Sequence, residues 1–189
     1  MKFLNERALQ KIHREEFSET KPYPWLNPQG LLTEEGYKIL VENAPPIELF
    51  TKNFGVQRGY GQKSHDRYTL TYKPGLSLPS VWQEFIDELR GEEYREFVTR
   101  IFGKRKFNFH FEWHYSTRGC SVSPHCDGER KLGTHIFYLN TSEDWKEEWG
   151  GQTVVLGDTK KKDEYSAPDF SDFGEIIIPQ TIGNRSFLF

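Results

Sequence analysis

Residues 121–140 read SVSPHCDGERKLGTHIFYLN, and within them His125 and Asp127 stand two positions apart. On extended backbone, residues i and i+2 project to one side about 6.5–7 Å apart, so an imidazole and a carboxylate at this spacing can converge on one ion. Cys126 would then face the other way. Imidazole plus carboxylate is a borderline-to-hard donor set suited to Fe(II), and a facial set of two histidines and one carboxylate leaves coordination positions open. A bare His-x-Asp arises easily by coincidence, so the pair needs support from the rest of the chain.

Other histidines compete for the role. In KFNFHFEWHY, His110, Glu112 and His114 share one face of a strand-like run. At strand rise the outer two stand about 13 Å apart, too far for both to ligate one ion, so the trio reads as a polar strand face. His135 is tempting as a third ligand, but in THIFYLN parity sets it with Phe137 and Leu139, opposite Ile136 and Tyr138. His13 and His65 lack ligand-type context and read as surface residues.

The elements that must position these residues change character midway. Thr33 is an expected N-cap, with Glu34 and Glu35 in the first turn of a helix that stops before Pro45-Pro46. From Ser80, VWQEFIDELRG places Val81, Trp82, Phe85, Ile86 and Leu89 on one helical face and ends at Gly91. EEYREFVTRIFG does the same with Tyr94, Phe97, Val98 and Ile101, ending at Gly103. The period then falls to two: Phe107, Phe109, Phe111, Trp113 and Tyr115 alternate with Lys106, Asn108, His110, Glu112 and His114. Further β-like runs follow in THIFYLN, GGQTVVL, GEIIIP and RSFLF. The expected fold is α+β: one domain over 1–189, with residues 1–104 a mostly helical N-terminal support and 105–189 an antiparallel strand-rich half. Residues 157–174 read as a long exposed strand connection, and the run Lys160-Lys161-Lys162 as a solvated loop.

Composition narrows the class. In 189 residues there are 15 Phe, 9 Tyr and 5 Trp, enough ring area to build a core despite few aliphatic residues. A net charge of -3 gives no electrostatic case for nucleic acid or an anionic membrane as partner. The charged N-terminus is unlike a secretory signal, no stretch is apolar enough to span a membrane, and Cys120 and Cys126 make no disulfide framework. A cytoplasmic location is expected.

From Phe107 to Phe189 the chain resembles the iron(II)- and 2-oxoglutarate-dependent dioxygenases, in particular the prolyl-4-hydroxylase-like branch. The matching elements occur in order: Tyr115 and Gly119, His125-Cys126-Asp127, Tyr138-Leu139-Asn140, Trp145, Gly150-Gly151, and Pro179 with Asn184-Arg185-Ser186-Phe187-Leu188-Phe189. The N-terminal half is similar only loosely, through PYPWLNPQGLLTEEGYKIL. The resemblance implies a double-stranded β-helix, a cupin-like jelly roll of which 105–189 would form a partial core. It implies His125 and Asp127 as metal ligands and catalytic residues, and Tyr115, Tyr138 and Thr153 as walls of the cosubstrate pocket, with the Tyr138 hydroxyl on the distal carboxylate of 2-oxoglutarate. Fe(II) and 2-oxoglutarate are the implied cofactors, ascorbate is a further candidate, and the reaction would use O2 to hydroxylate a peptide, amino acid or small-molecule metabolite. Asp127 favours hydroxylation over halogenation, because halogenating relatives carry a small residue there.

Two departures stand out. Val122 occupies a position where many relatives have a tyrosine. The family's second histidine and the basic residue that anchors 2-oxoglutarate would both fall shortly after Phe189. One expectation is therefore an N-terminal part of a longer dioxygenase, the 189 residues alone being impaired. Another is a catalytically inactive jelly-roll binding module, and a third is a different β-barrel metalloenzyme. GVQRGYGQKSHDRYTLTY reads either as a recognition loop or as a connecting hairpin, with Arg118, Arg130 and Lys131 as candidate rim charges.

Overall fold

The structure is a computed structural model and describes residues 2–159 and 167–189. Helices α1 (Glu6–Lys11), α2 (Arg14–Glu19) and α3 (Glu34–Glu42) open the chain. Thr33 caps α3, its hydroxyl accepting from the Gly36 N–H at 2.9 Å. Helices α4 (Ser80–Arg90) and α5 (Glu92–Phe102) follow the apolar spacing: Trp82, Phe85, Ile86 and Leu89 are buried on one, Tyr94, Phe97, Val98 and Ile101 on the other. Gly103 ends α5 in the left-handed region, at φ 73°, its N–H donating to the Thr99 carbonyl at 2.8 Å. The Glu88 carboxylate of α4 accepts from the backbone N–H groups of Lys2, Phe3 and Leu4, at 2.9, 3.1 and 2.7 Å, and so ties down the N-terminal segment.

The first sheet is antiparallel, in the order β1 (Thr51–Asn53), β2 (Arg67–Thr71), β3 (Glu112–Tyr115). The first two strands lie in the stretch expected to be helical support and loop. GVQRGYGQKSHDRYTLTY thus supplies the connection and second strand of a hairpin. The strand expected over 106–115 is in a ladder only from Glu112, where β2 offers a partner in the register Leu70↔Trp113, Thr69↔His114. Alternation nonetheless persists upstream. Phe107, Phe109, Phe111 and Trp113 all lie against the helical core, Trp113 edge-on to Trp82 at 5.3 Å between ring centres. The Arg95 guanidinium covers the rings of Phe107 and Phe109 at 4.9 and 5.0 Å.

Strand β4 (His135–Phe137) pairs antiparallel with β7 (Ser186–Leu188), and β5 (Val155–Thr159) pairs with β6 (Phe173–Ile177). The run GGQTVVL enters its ladder only at Val155, and Gly150 and Gly151 themselves sit at φ 75° and 87°, outside strand conformation. Of the connection expected between β5 and β6, residues 160–166 lie outside the described residues, the Lys160-Lys161-Lys162 run among them. The other edge of β7 bonds to the N-terminal half: Leu26 and Leu188 exchange N–H···O bonds at 2.9 and 3.0 Å, and Gln29 bridges Arg185. Buried Asn184, at φ 58°, accepts from the Leu32 N–H at 3.3 Å and donates to the Leu32 carbonyl at 2.9 Å. The result is a mixed α/β chain with several antiparallel sheets and, among the described residues, no closed barrel. No helix among them is long and apolar enough to cross a membrane.

His135 turns toward the helices, as parity requires. Its Nδ1 lies 2.6 Å from the Tyr94 hydroxyl, its ring centre 4.0 Å from that of Phe137, and its Nε2 is buried without a partner among the described residues. Burial pushes its pKa down to about 3. The unfolded chain, with an ordinary histidine near 6.5, then binds more protons than the folded one between those values, so stability falls as pH drops below about 6.5. Lowering the pH from 7 to 5 is expected to cost about 2 kcal/mol through this residue. Urea titrations at both pH values check it: His135→Phe should flatten the pH dependence by that amount.

Candidate metal centre

The segment between β3 and β4 carries the His-Cys-Asp stretch. It is anchored where the Asp66 N–H donates to the Ser121 carbonyl at 2.9 Å, a bridge that aligns it with the start of β2. Ser123 and Pro124 are buried just beyond. His125 and Asp127 belong to no ladder, so local bonds rather than a strand align them. The Nδ1 of His125 lies 2.8 Å from the Ser123 carbonyl. A carbonyl only accepts, so this contact requires the proton on Nδ1 and leaves the Nε2 lone pair free in the neutral ring. Nε2 faces Asp127 Oδ1 at 4.0 Å, with both side chains partly open to solvent, at 30% and 26%. Cys126, between them, is exposed.

The Asp127 carboxylate is itself held. Oδ2 accepts from the Thr134 hydroxyl at 3.1 Å, and Oδ1 from the Lys131 ammonium at 3.0 Å. Two donors bound at about 2.1 Å to one ion stand between roughly 3 and 4.2 Å apart, depending on the bond angle. A facial pair stands near the lower figure, so the 4.0 Å gap must close by about 1 Å for both to grip one ion; the donor chemistry fits a borderline divalent metal. The pair remains two ligands. Among the described residues no group of three or more His, Cys, Asp or Glu side chains converges to hold a metal.

His65, which the sequence suggests is a surface residue, is 7% exposed. Its ring centre lies 4.5 Å from that of His125, and its Nε2 is 3.2 Å from the Ser123 hydroxyl. Burial, with smaller contributions from His125, Arg58 and Arg67, pushes its pKa down to about 4. Its own stretch of sequence carries no signal of this burial. What brings it to His125 is the pairing of segments more than fifty positions apart.

The other expected residues make contacts of their own. The Tyr138 hydroxyl donates to Thr153 Oγ1 at 2.6 Å, and burial pushes this phenol up to about 12, so it stays protonated. Tyr115 instead lies against Phe50, 4.7 Å between ring centres, and no hydrogen bond or ring contact among the described residues joins it to Tyr138 or to the His125–Asp127 pair. His110 and His114 flank opposite oxygens of Glu112 at 3.6 and 3.2 Å, so this trio shares a carboxylate rather than a central point. Arg118 and Arg130 are exposed, and only Lys131 of the rim charges engages the pair.

No family model, no curated protein and no solved structure matches the chain. The first consequence concerns Lys131, whose ammonium occupies the carboxylate oxygen that a metal would need. Lys131→Ala is expected to tighten Mn(II) binding several-fold in calorimetric titration; unchanged or weaker binding would show that the ammonium does not compete.

Proposed function

We propose that the chain is an Fe(II)- and 2-oxoglutarate-dependent dioxygenase that hydroxylates a C–H bond of a peptide, amino acid or small metabolite. The observation that carries this reading is the His125–Asp127 pair: an imidazole whose Nε2 is freed by the Nδ1 bond to Ser123, facing a carboxylate on a solvent-accessible side of the molecule. In this reading His125 Nε2 and Asp127 Oδ1 are two of the three protein ligands that the family uses, and the antiparallel pairs β4–β7 and β5–β6 belong to a jelly-roll core.

When bound, ferrous iron with 2-oxoglutarate and O2 supplies the oxidising chemistry, yielding succinate, CO2 and a hydroxylated product. The chain's own residues bind and orient. Thr134 fixes Asp127 Oδ2, leaving Oδ1 as the oxygen directed at His125. The protonated Tyr138 hydroxyl, now spent on Thr153, is a donor of the kind that a distal carboxylate requires, and Thr153 offers a second hydroxyl beside it. Both cysteines are free thiols, which suits work in the reducing cytoplasm.

Succinate release by the protein should require both Fe(II) and 2-oxoglutarate and be abolished by Asp127→Ala. Release that survives this substitution would remove Asp127 from the site. Tyr138→Phe should raise the KM for 2-oxoglutarate about tenfold, the worth of one hydrogen bond, with kcat changed far less.

A further inference from the structure

Ser123 touches two imidazoles at once. Its carbonyl accepts from His125 Nδ1 at 2.8 Å, and its hydroxyl meets His65 Nε2 at 3.2 Å and the Lys63 carbonyl at 3.5 Å. The two rings lie 4.5 Å apart, with planes 51° from each other. Ser123 is 9% exposed and His65 7%, so the bracket is built inside the protein while His125 reaches outward. A buried side chain that served only to fill space would gain more as an apolar group, because an imidazole must have its polar atoms satisfied. Here the polar end of His65 is bonded to the residue that also holds His125, and its ring blocks one side of the His125 ring.

We propose that His65 is a positioning residue: bonded to Ser123 and packed on His125, it fixes the ring rotation and the Nδ1–H tautomer that direct His125 Nε2 at Asp127. The proposal rests on the reading of His125 and Asp127 as metal ligands. Partners that orient a ligating histidine commonly set metal affinity by tenfold to a hundredfold.

Titration with Co(II), followed by visible absorbance, tests it. His65→Ala should weaken Co(II) binding by about tenfold to a hundredfold. His65→Phe, which keeps a ring but cannot bond Ser123, should weaken it by about tenfold; simple packing would leave it unchanged. Ser123→Ala removes only a hydroxyl and keeps the question open to test should the His65 variants unfold. It should also weaken binding, and the double variant Ser123→Ala/His65→Ala should be no weaker than His65→Ala alone. A readout without metal is the imidazole nitrogen spectrum of the neutral His125 ring: one Nδ1–H tautomer in the wild-type chain, a mixture in His65→Ala. Near-wild-type Co(II) affinity in all three single variants, with binding lost in His125→Ala, would overturn the positioning role and leave the ligand pair standing. Binding unaffected by His125→Ala would remove the ligand pair, and this proposal with it.

Discussion

The burial of one aromatic face decides the rest of the architecture. Phe107, Phe109, Phe111 and Trp113 all turn toward α4 and α5 and are partly buried there, a gain that reaches about 1.5–3 kcal/mol for a ring fully removed from water. Period two then sends His110, Glu112 and His114 to the opposite side without any further instruction. A slip of one residue would exchange the faces, placing two imidazoles and a carboxylate among Trp82, Phe85 and Phe97 and leaving the phenylalanines in water. The register Leu70↔Trp113 is fixed by that cost. Through it the upstream end of β2 meets Ser121, and the segment bearing His125 takes its place beside His65.

A second constraint joins the two halves of the chain. Strand β7 lies between β4 and the extended residues 26–29, so the C-terminal strand completes its hydrogen bonds only with N-terminal backbone. Asn184 and Asn27 reinforce this from their side chains, Asn184 on Leu32 and Asn27 on the Gln180 and Ser186 carbonyls. Ser186, Phe187 and Leu188 are all at most 2% exposed. The helical support and the strand-rich half therefore share one core, with Leu188 in the same cluster as Phe3, Leu40 and Phe97.

What the sequence could show followed its range. Helices α4 and α5 were legible to their ends and α3 at its start, because caps, apolar spacing and terminal glycines are local signals; α3 ends at Glu42, short of the expected Pro45-Pro46 stop. The face assignments of His135 and Tyr138 were legible for the same reason. Strands β1 and β2 were not, since three and five residues carry little periodicity of their own and exist as strands only through β3. The His125–Asp127 pair was found from its spacing, but the strand geometry used to justify it is absent; bonds from Ser123, Thr134 and Lys131 do the aligning. His65 was out of reach, because nothing within its own neighbourhood distinguishes it from a surface histidine. Tyr115 packs at a tilt against Phe50, a contact made by residues 65 positions apart that alternation alone does not specify.

The central claim is that His125 and Asp127 grip one ferrous ion that also chelates a 2-oxo acid. Anaerobic addition of 2-oxoglutarate to the Fe(II)-loaded natural protein measures this most directly, since such a chelate absorbs visible light by metal-to-ligand charge transfer. The account predicts a band that appears only with both components and vanishes in either His125→Ala or Asp127→Ala. A protein that develops no band, or one whose band persists through both substitutions, would contradict it.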